Sequence, residues 1–424
     1  MKQIQEMIQE RKVKGFAMAK QERPIFKDGV WLVRSQTNPR KTYKVSLNLE
    51  GAKCDCEDFI ERGIYGVKCK HYWSVEYVLT QTEIHKDGST TTTTITKHKT
   101  YSQPNWKAYD QAHTQQKDLF QKLLHDLCGI ITEPMPKETG RPSLPISDMV
   151  FTSALKVYTK FSLRDFISDV REAQRRGYIT SIPHYTMPSK YMRNEALTPI
   201  LHQLITASAM PLKMIESSFS IDSSGFTPSK FSRWFDKKYN KVRDRKIWYK
   251  LHLVNGNSTH IVASCEITTQ HVFDGTMLQE LTNETHQNFN MQELCGDKAY
   301  MSDNNLNHLN GLNIVPYIPF KSNTVANNEK KSEIWRNAYN YFCFNQQNFL
   351  SHYHQRSNSE TVFYMIKTKF EDYTRSKNNT ACINEILLKV LCHNICVLIT
   401  EMFELGIKPE FLGVQDNKTT KRKV

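Results

Sequence analysis

The stretch YHQRSNSETVFYMIK, residues 353–367, spaces a tyrosine, an arginine, a glutamate and a lysine as a helix would: Tyr353, Arg356, Glu360 and Lys367. At about 100° per residue the four fall within an arc of roughly 60° on one helix face. Such a face would present a carboxylate flanked by phosphate-binding groups to a single cleft. That is the layout of a site that cuts nucleic acid.

Working outward, two further acids stand at strand ends. SSFSIDSSGF (217–226) reads as a short strand with Asp222, and LCGDKAY (294–300) places Asp297 after another. From about residue 213 strands alternate with helices: WYKLHLVN and THIVASCEIT are β-rich runs separated by a turn, FDGTMLQELTNET reads as a helix, and LNIVPYIPF as a further strand. Residues 338–370 and 381–403 read as long helices. An open α/β sheet could bring Asp222, Asp297 and Glu360 to one edge. Three carboxylates so placed repel one another and suit hard divalent cations, which can activate an attacking oxygen and clamp both oxygens of an in-line phosphoryl transfer. His271 and Asp274 precede a helix and read first as caps, with support of the acids as the other option. Glu266 and Asp303 are fallback ligands.

Tyr353-x2-Arg356-x3-Glu360-x6-Lys367 resembles the Y-R-E-K signature of insertion-sequence DDE transposases in spacing and residue type. IDSSGF resembles that family's first-Asp strand and GDKAY its second-Asp block, so the resemblance covers about 213–400. It implies an RNase H-like fold, a mixed β-sheet flanked by helices, with Asp222, Asp297 and Glu360 as a catalytic triad holding Mg²⁺ or Mn²⁺. It further implies that Arg356 and Lys367 bind phosphates and that Tyr353 packs against or hydrogen-bonds the DNA backbone. The activity implied is hydrolysis and strand transfer on double-stranded DNA, at element ends and target, by a homodimer or higher assembly. A domesticated DNA-binding descendant, or a Mg²⁺-dependent nuclease that never joins strands, would present the same residues.

A second constellation lies near the N-terminus. Of ten cysteines, seven stand singly among apolar or mixed neighbours and read as core filling. The other three cluster with a histidine as Cys54-x-Cys56-x12-Cys69-x-His71. Two cysteines at i and i+2 of a strand point to one side, and Cys-x-His at a helix start can complete the tetrahedron of a closed structural zinc site. The pattern resembles the SWIM zinc finger. The flanks VWLVRS, TYKVSLNL and HYWSVEYVL, two strands and a helix, agree with it over about 35–80. Lys68 and Lys70 suggest contact with DNA, and a protein partner is the other option.

The remainder sets the organisation: multidomain α+β, with a SWIM-type zinc-binding domain at 1–83, a linker at 84–104, a helical DNA-binding domain at 105–212, the catalytic domain at 213–410 and a basic tail at 411–424. The Thr-rich run within 85–100 reads as that linker or as an exposed hairpin. Within 161–194, a helix to about Arg176, a stop at Gly177 and a second helix opening near Thr186–Pro188 suggest a helix-turn-helix-like pair presenting Lys190, Tyr191 and Arg193. With 57 Lys+Arg against 43 Asp+Glu the net charge is +14, which favours polyanionic partners. No uninterrupted apolar run of membrane-spanning length and no signal-like N-terminus is evident, so the expected location is cytoplasmic, nucleoid-associated in a prokaryote, without a membrane partner.

Overall fold

A computed structural model describes residues 2–22, 24–27, 30–36, 38, 41–48, 51–62, 68–84, 90–94, 105–135, 143–228, 238, 248–321, 324 and 331–412. The chain divides into two compact units, Met1–Lys117 with Ile399–Val424, and Asp118–Leu398.

The first unit opens with helix α1 (Lys2–Gln21) and a four-stranded antiparallel sheet in the order β1-β2-β3-β4: Ile25–Lys27, Val30–Arg34, Thr42–Asn48 and Gly51–Cys54. In β2 the alternation buries Trp31 and Val33, the period-2 signature of a strand with one face on a core. After the short helix α2 (Glu57–Arg62) comes α3 (Lys70–Leu79), which packs along α1. Gly15 makes that packing possible: a Cβ there would lie 2.5 Å from Trp73 Cβ and 2.6 Å from Lys70 O. The Thr-rich run forms a strand. β6 (Thr90–Thr94) pairs antiparallel with β5 (Thr80–Ile84) on one side and, on the other, with Glu410–Leu412, the last strand of the chain. Of the 84–104 stretch, Ile84 and Thr90–Thr94 thus lie in strands. Residues 85–89, 95–104 and 413–424, the rest of the expected linker and nearly all of the basic tail, lie outside the described residues.

The second unit is built on a five-stranded sheet. Its strands are β7 (Ser218–Phe226), β8 (Tyr249–Gly256), β9 (Val262–Thr269), β10 (Glu293–Gly296) and β11 (Val315–Tyr317), ordered β11-β10-β7-β8-β9. β7, β8 and β9 are successively antiparallel, whereas β10 runs parallel to β7 and β11 parallel to β10. This is a mixed sheet flanked by helices, as the sequence led one to expect. β8 is buried almost throughout, which in a sheet requires cover on both faces. The cover includes Leu197–Ala209, Leu278–Asn288 and Ser357–Phe370, which pack on β7, β8 or β9. Asn394 adds a polar tie, its amide bonding Val262 N and O of β9 and Ile205 O of the 197–209 helix.

The helical segment 118–209 thus belongs to the same unit as the sheet and does not form a body of its own. The two helices of the expected helix-turn-helix-like pair fall where the sequence placed them. The first helix spans Ile167–Arg175 and Gly177 adopts φ +78, but eleven residues pass before Met187–Tyr191, a helix of only five residues. That is too short to lie along a groove, and the Tyr191 hydroxyl donates to Leu144 O at 3.1 Å. Among the described residues one helix, Asn379–Glu404, is long and apolar enough to cross a membrane, although Glu385 and Lys389 interrupt its apolar run; 83% of its apolar window is buried inside the protein, as in a core helix.

Candidate active site

β10 is shorter than β7, and the difference creates the site. The parallel ladder ends at Gly296 opposite Ile221, so Asp222 and Asp297 are the next residue on each strand. From this point the chain proceeds on one side through β8 and β9 and on the other through β10 and β11. This is the topological switch point at which open α/β sheets leave a crevice beyond their strand ends. Asp297 caps the 3-10 turn Lys298–Tyr300, its carboxylate accepting from Lys298 N. Asp222 remains in β7, opposite Leu253 of β8, and its carboxylate accepts from Ser223 N at 2.8 Å.

The third acid arrives on the Ser357–Phe370 helix. Arg356, just before that helix, spans two carboxylates: Nη1 donates to Asp222 Oδ2 at 3.0 Å and Nη2 to Glu360 Oε1. One planar guanidinium thus ties the strand acid to the helix acid, a geometry that a lysine cannot reproduce. Lys367, two turns beyond Glu360, donates to Ser224 Oγ at 2.6 Å, and Ser224 lies on the same side of β7 as Asp222. Glu360 is exposed and Asp222 largely buried. Burial raises the Asp222 pKa above the usual carboxylate value; the Ser223 N–H and Arg356 oppose the shift, while Asp297 and Glu360 add to it. The three acids therefore interact electrostatically.

Tyr353 departs from the expected single helix face. The helix Gln346–Tyr353 ends there, His354–Arg356 forms a 3-10 turn, and only then does the helix of Glu360 begin. Tyr353 packs against the cluster of Cys295, Tyr317 and Phe349, its ring stacked on Phe349 with centroids 6.2 Å apart. It still lies near enough to act electrostatically on Arg356.

The sequence reading missed several polar residues that hold this geometry. Ser218 Oγ donates to Gln355 Oε1 at 2.8 Å, Asn257 Nδ2 donates to the same oxygen at 3.2 Å, and Ser220 Oγ donates to Gln355 O at 3.3 Å. Ser359 Oγ bonds Asn255 Oδ1 at 2.8 Å, both side chains fully buried. These bonds seat the start of the Glu360 helix on β7 and β8. The only sequence trace is the run of small polar residues in SSFSID and RSNSE, which reads equally as turn or loop. Asp274 proves to be a support: it accepts from Ser223 Oγ at 2.7 Å and Lys250 Nζ at 3.0 Å and makes no helix cap. His271 is exposed, bonded to Gln270. Asp303 is taken up by Ser332, and Glu266 lies on the edge strand β9. Tyr300 is buried beside Asp222, Asp274 and Asp297, with no hydrogen-bond partner for its hydroxyl.

The chemistry of this donor set fits a hard divalent cation. Carboxylate oxygens of Asp222, Asp297 and Glu360 are Mg²⁺- or Mn²⁺-type ligands, and their mutual repulsion is what a cation relieves.

In the first unit, Cys54, Cys56, Cys69 and His71 are all buried, and one donor atom from each lies within 4.8 Å of the others. Cys54 ends β4 and Cys56 stands beyond it, before α2, so the two cysteines do not share one strand as expected; Cys69 and His71 flank the start of α3, where the sequence placed a helix start. Cys54 Sγ is 4.0 Å from His71 Nδ1. A tetrahedron with zinc bonds of ~2.0–2.3 Å has edges of ~3.4–3.8 Å, so small shifts would close the shell.

Residues 215–395 match the family model of a transposase DDE domain. The match spans β7 through most of the final long helix and includes Asp222, Asp297, Arg356, Glu360 and Lys367. Domains of this family point to metal-dependent action on nucleic acid. No solved structure matches the chain.

Proposed function

We propose that this protein is a DNA transposase of the Y-R-E-K type, which grips the terminal inverted repeats of its element and performs Mg²⁺-dependent hydrolysis and strand transfer. The observation that supports the reading is Arg356 joining Asp222 to Glu360 where the β7–β10 ladder ends, one residue before Asp297.

Asp222, Asp297 and Glu360 would hold the divalent cations. When bound, these polarise the scissile phosphate and lower the pKa of the attacking water or 3′-hydroxyl. Arg356 opposes the effect of burial on Asp222 and holds Asp222 and Glu360 close in the meantime, and its five donors suit it to turn to a phosphate. Lys367 supplies a second cation along the same strand edge. Tyr353 contributes from the aromatic cluster, buttressing the turn that aims Arg356. The polar bonds from Ser218, Ser220, Asn257 and Ser359 keep Glu360 in register with Asp222, so that little ordering is left for the reaction itself. In the first unit, Cys54, Cys56, Cys69 and His71 would hold a structural Zn²⁺ in a SWIM-type module that contacts DNA. The net charge of +14 suits binding to DNA, in a homodimer or larger complex that brings two ends together.

The test incubates the full chain, Mg²⁺ and end-containing DNA, with Glu360→Gln as control. Joined products that the substitution reduces by at least ~10²-fold support the transposase, as expected when a metal ligand is removed. Cleavage without joining would indicate a nuclease, and binding alone would sink both enzymatic readings in favour of a DNA-binding descendant.

A further inference from the structure

Tyr300 closes the 3-10 turn that Asp297 begins, and it is 1% exposed. A Cβ on Gly296 would lie 3.4 Å from Tyr300 Cδ2 and 3.1 Å from Ile221 Cγ2, so the ring lies against the pair that ends the β7–β10 ladder, one residue before each strand acid. Asn305, itself buried, fixes the backbone around the ring. Its Nδ2 donates to Tyr300 O and to Gly275 O, both at 2.9 Å, and so ties the turn of Asp297 to the turn of Asp274. Packing alone would be served by a phenylalanine here. The ring nevertheless carries a hydroxyl, buried and without a hydrogen-bond partner.

A buried hydroxyl with no partner costs stability that an apolar ring of the same shape would not. In a native site such a group calls for an explanation, and a second state that supplies the partner is one. Burial, and then Asp222, Asp274 and Asp297 in that order, raise the Tyr300 pKa well above the ordinary tyrosine value, so the group keeps its proton. A donor thus lies among acceptors, none of them bonded to it.

The bonds of the three acids select the acceptor. Asp274 Oδ1 accepts from Ser223 Oγ at 2.7 Å and Lys250 Nζ at 3.0 Å, and Asp297 Oδ1 from the adjacent N–H of Lys298; these donors belong to the fold. Asp222 is held differently. Its Oδ1 accepts from Ser223 N, but its Oδ2 is held by Arg356, the tip of a long, partly exposed side chain that also bonds the exposed Glu360. Arg356 occupies the carboxylate oxygens that a shared cation needs, so loading of the site frees Asp222 from it. Asp222 then lacks a donor, and the Tyr300 hydroxyl is the buried donor at hand. Outer donors of this kind orient ligating carboxylates, and losing one typically costs ~10–100-fold in metal affinity.

We propose that Tyr300 is a positioning residue of this site: its hydroxyl donates to Asp222 once that carboxylate leaves Arg356, and fixes the orientation in which Asp222 holds a divalent cation. The proposal rests on the divalent-cation reading of the three acids, and the test separates the two. Mn²⁺ is titrated into the full chain without DNA, and free Mn²⁺ is read by electron paramagnetic resonance, counting only the binding that Asp222→Asn abolishes. Tyr300→Phe should bind ~10–100-fold more weakly than the unsubstituted protein. Without metal the same variant should melt no lower, because it loses only an unmet polar group, whereas a structural role for the hydroxyl would lower the melting temperature. Mg²⁺ should also evoke a near-ultraviolet tyrosine difference spectrum in the unsubstituted protein, from the new hydrogen bond, that Tyr300→Phe and Asp222→Asn both lack. Equal Mn²⁺ affinity in Tyr300→Phe overturns the proposal, as does a variant that melts lower without metal or fails to fold. Absence of the difference spectrum from a protein that does bind Mn²⁺ overturns it too. No Mn²⁺ binding by the unsubstituted protein would sink the divalent-cation reading itself, and this proposal with it.

Discussion

At Asp222 two demands meet. The carboxylate must be ionised to hold a cation, yet it sits on a strand covered by helices, with two other acids near it, so its folded-state pKa is raised, first by burial. A carboxyl whose pKa is raised on folding stabilises the fold below the ordinary carboxylate range, and that contribution is lost as pH rises through the folded value. At neutral pH the charge is therefore a liability. Asp222→Asn should melt no lower than the unsubstituted protein at pH 7, and higher if the Arg356 bond to the amide oxygen survives. The advantage should shrink as pH falls towards the range where Asp222 is itself protonated, while cleavage is lost. Thermal melts across that range check the sign, and a marked loss of stability at neutral pH would show that the Asp222–Arg356 pair outweighs the burial. The three acids stand out in the sequence by residue type and place along the chain. The role of Asp274 does not: its bonds run to Ser223 and Lys250, 51 and 24 residues away.

Among the elements, the break between the 346–353 and 357–370 helices carries the lesson. Periodicity predicts one helix through all four signature residues, and the sequence offers no proline or glycine there to end it. What interrupts it is the sheet. Cys295 Sγ donates to His352 O and Ser220 Oγ to Gln355 O, so two carbonyls facing the intrahelical ladder are engaged from outside, and a tighter 3-10 turn forms between them. Tyr353 consequently serves the aromatic cluster. In the first unit, the approach of α1 to α3 depends on the missing side chain of Gly15, since Lys70 O and Ser74 N are backbone atoms that cannot rotate away. Gly15→Ala should push apart the two helices, one of which carries His71, and destabilise this unit by ~1–3 kcal/mol, the usual cost of overpacking. Denaturant unfolding read through Trp31 and Trp73 fluorescence measures this, and an unchanged midpoint would contradict it.

For the whole molecule, the two units rest on different physics. The 118–398 unit has a sheet buried on both faces and a large apolar core, whereas the other unit has, among its described residues, two small sheets, the α1–α3 packing and the Cys54, Cys56, Cys69 and His71 group. Metal affinity in such a site is folding free energy. A strong chelator should therefore remove about one zinc per chain and release hydrogen-exchange protection in 42–79, with little change in 218–226 or 262–269; Cys56→Ser should do the same without chelator. Purified protein without zinc, or uniform loss of protection across both units, would reject the assignment. The sequence by itself determined the kinds of chemistry: the three acids, the Y-R-E-K spacing, the Cys3His set and the positive charge, all local patterns of residue type. Only the tertiary structure decided that the helices of 118–209 join the unit of the five-stranded sheet, that Tyr353 packs inward, and that Arg356 bridges Asp222 and Glu360. Those outcomes follow from which buried polar groups find partners across long sequence separations, and no local pattern encodes that matching.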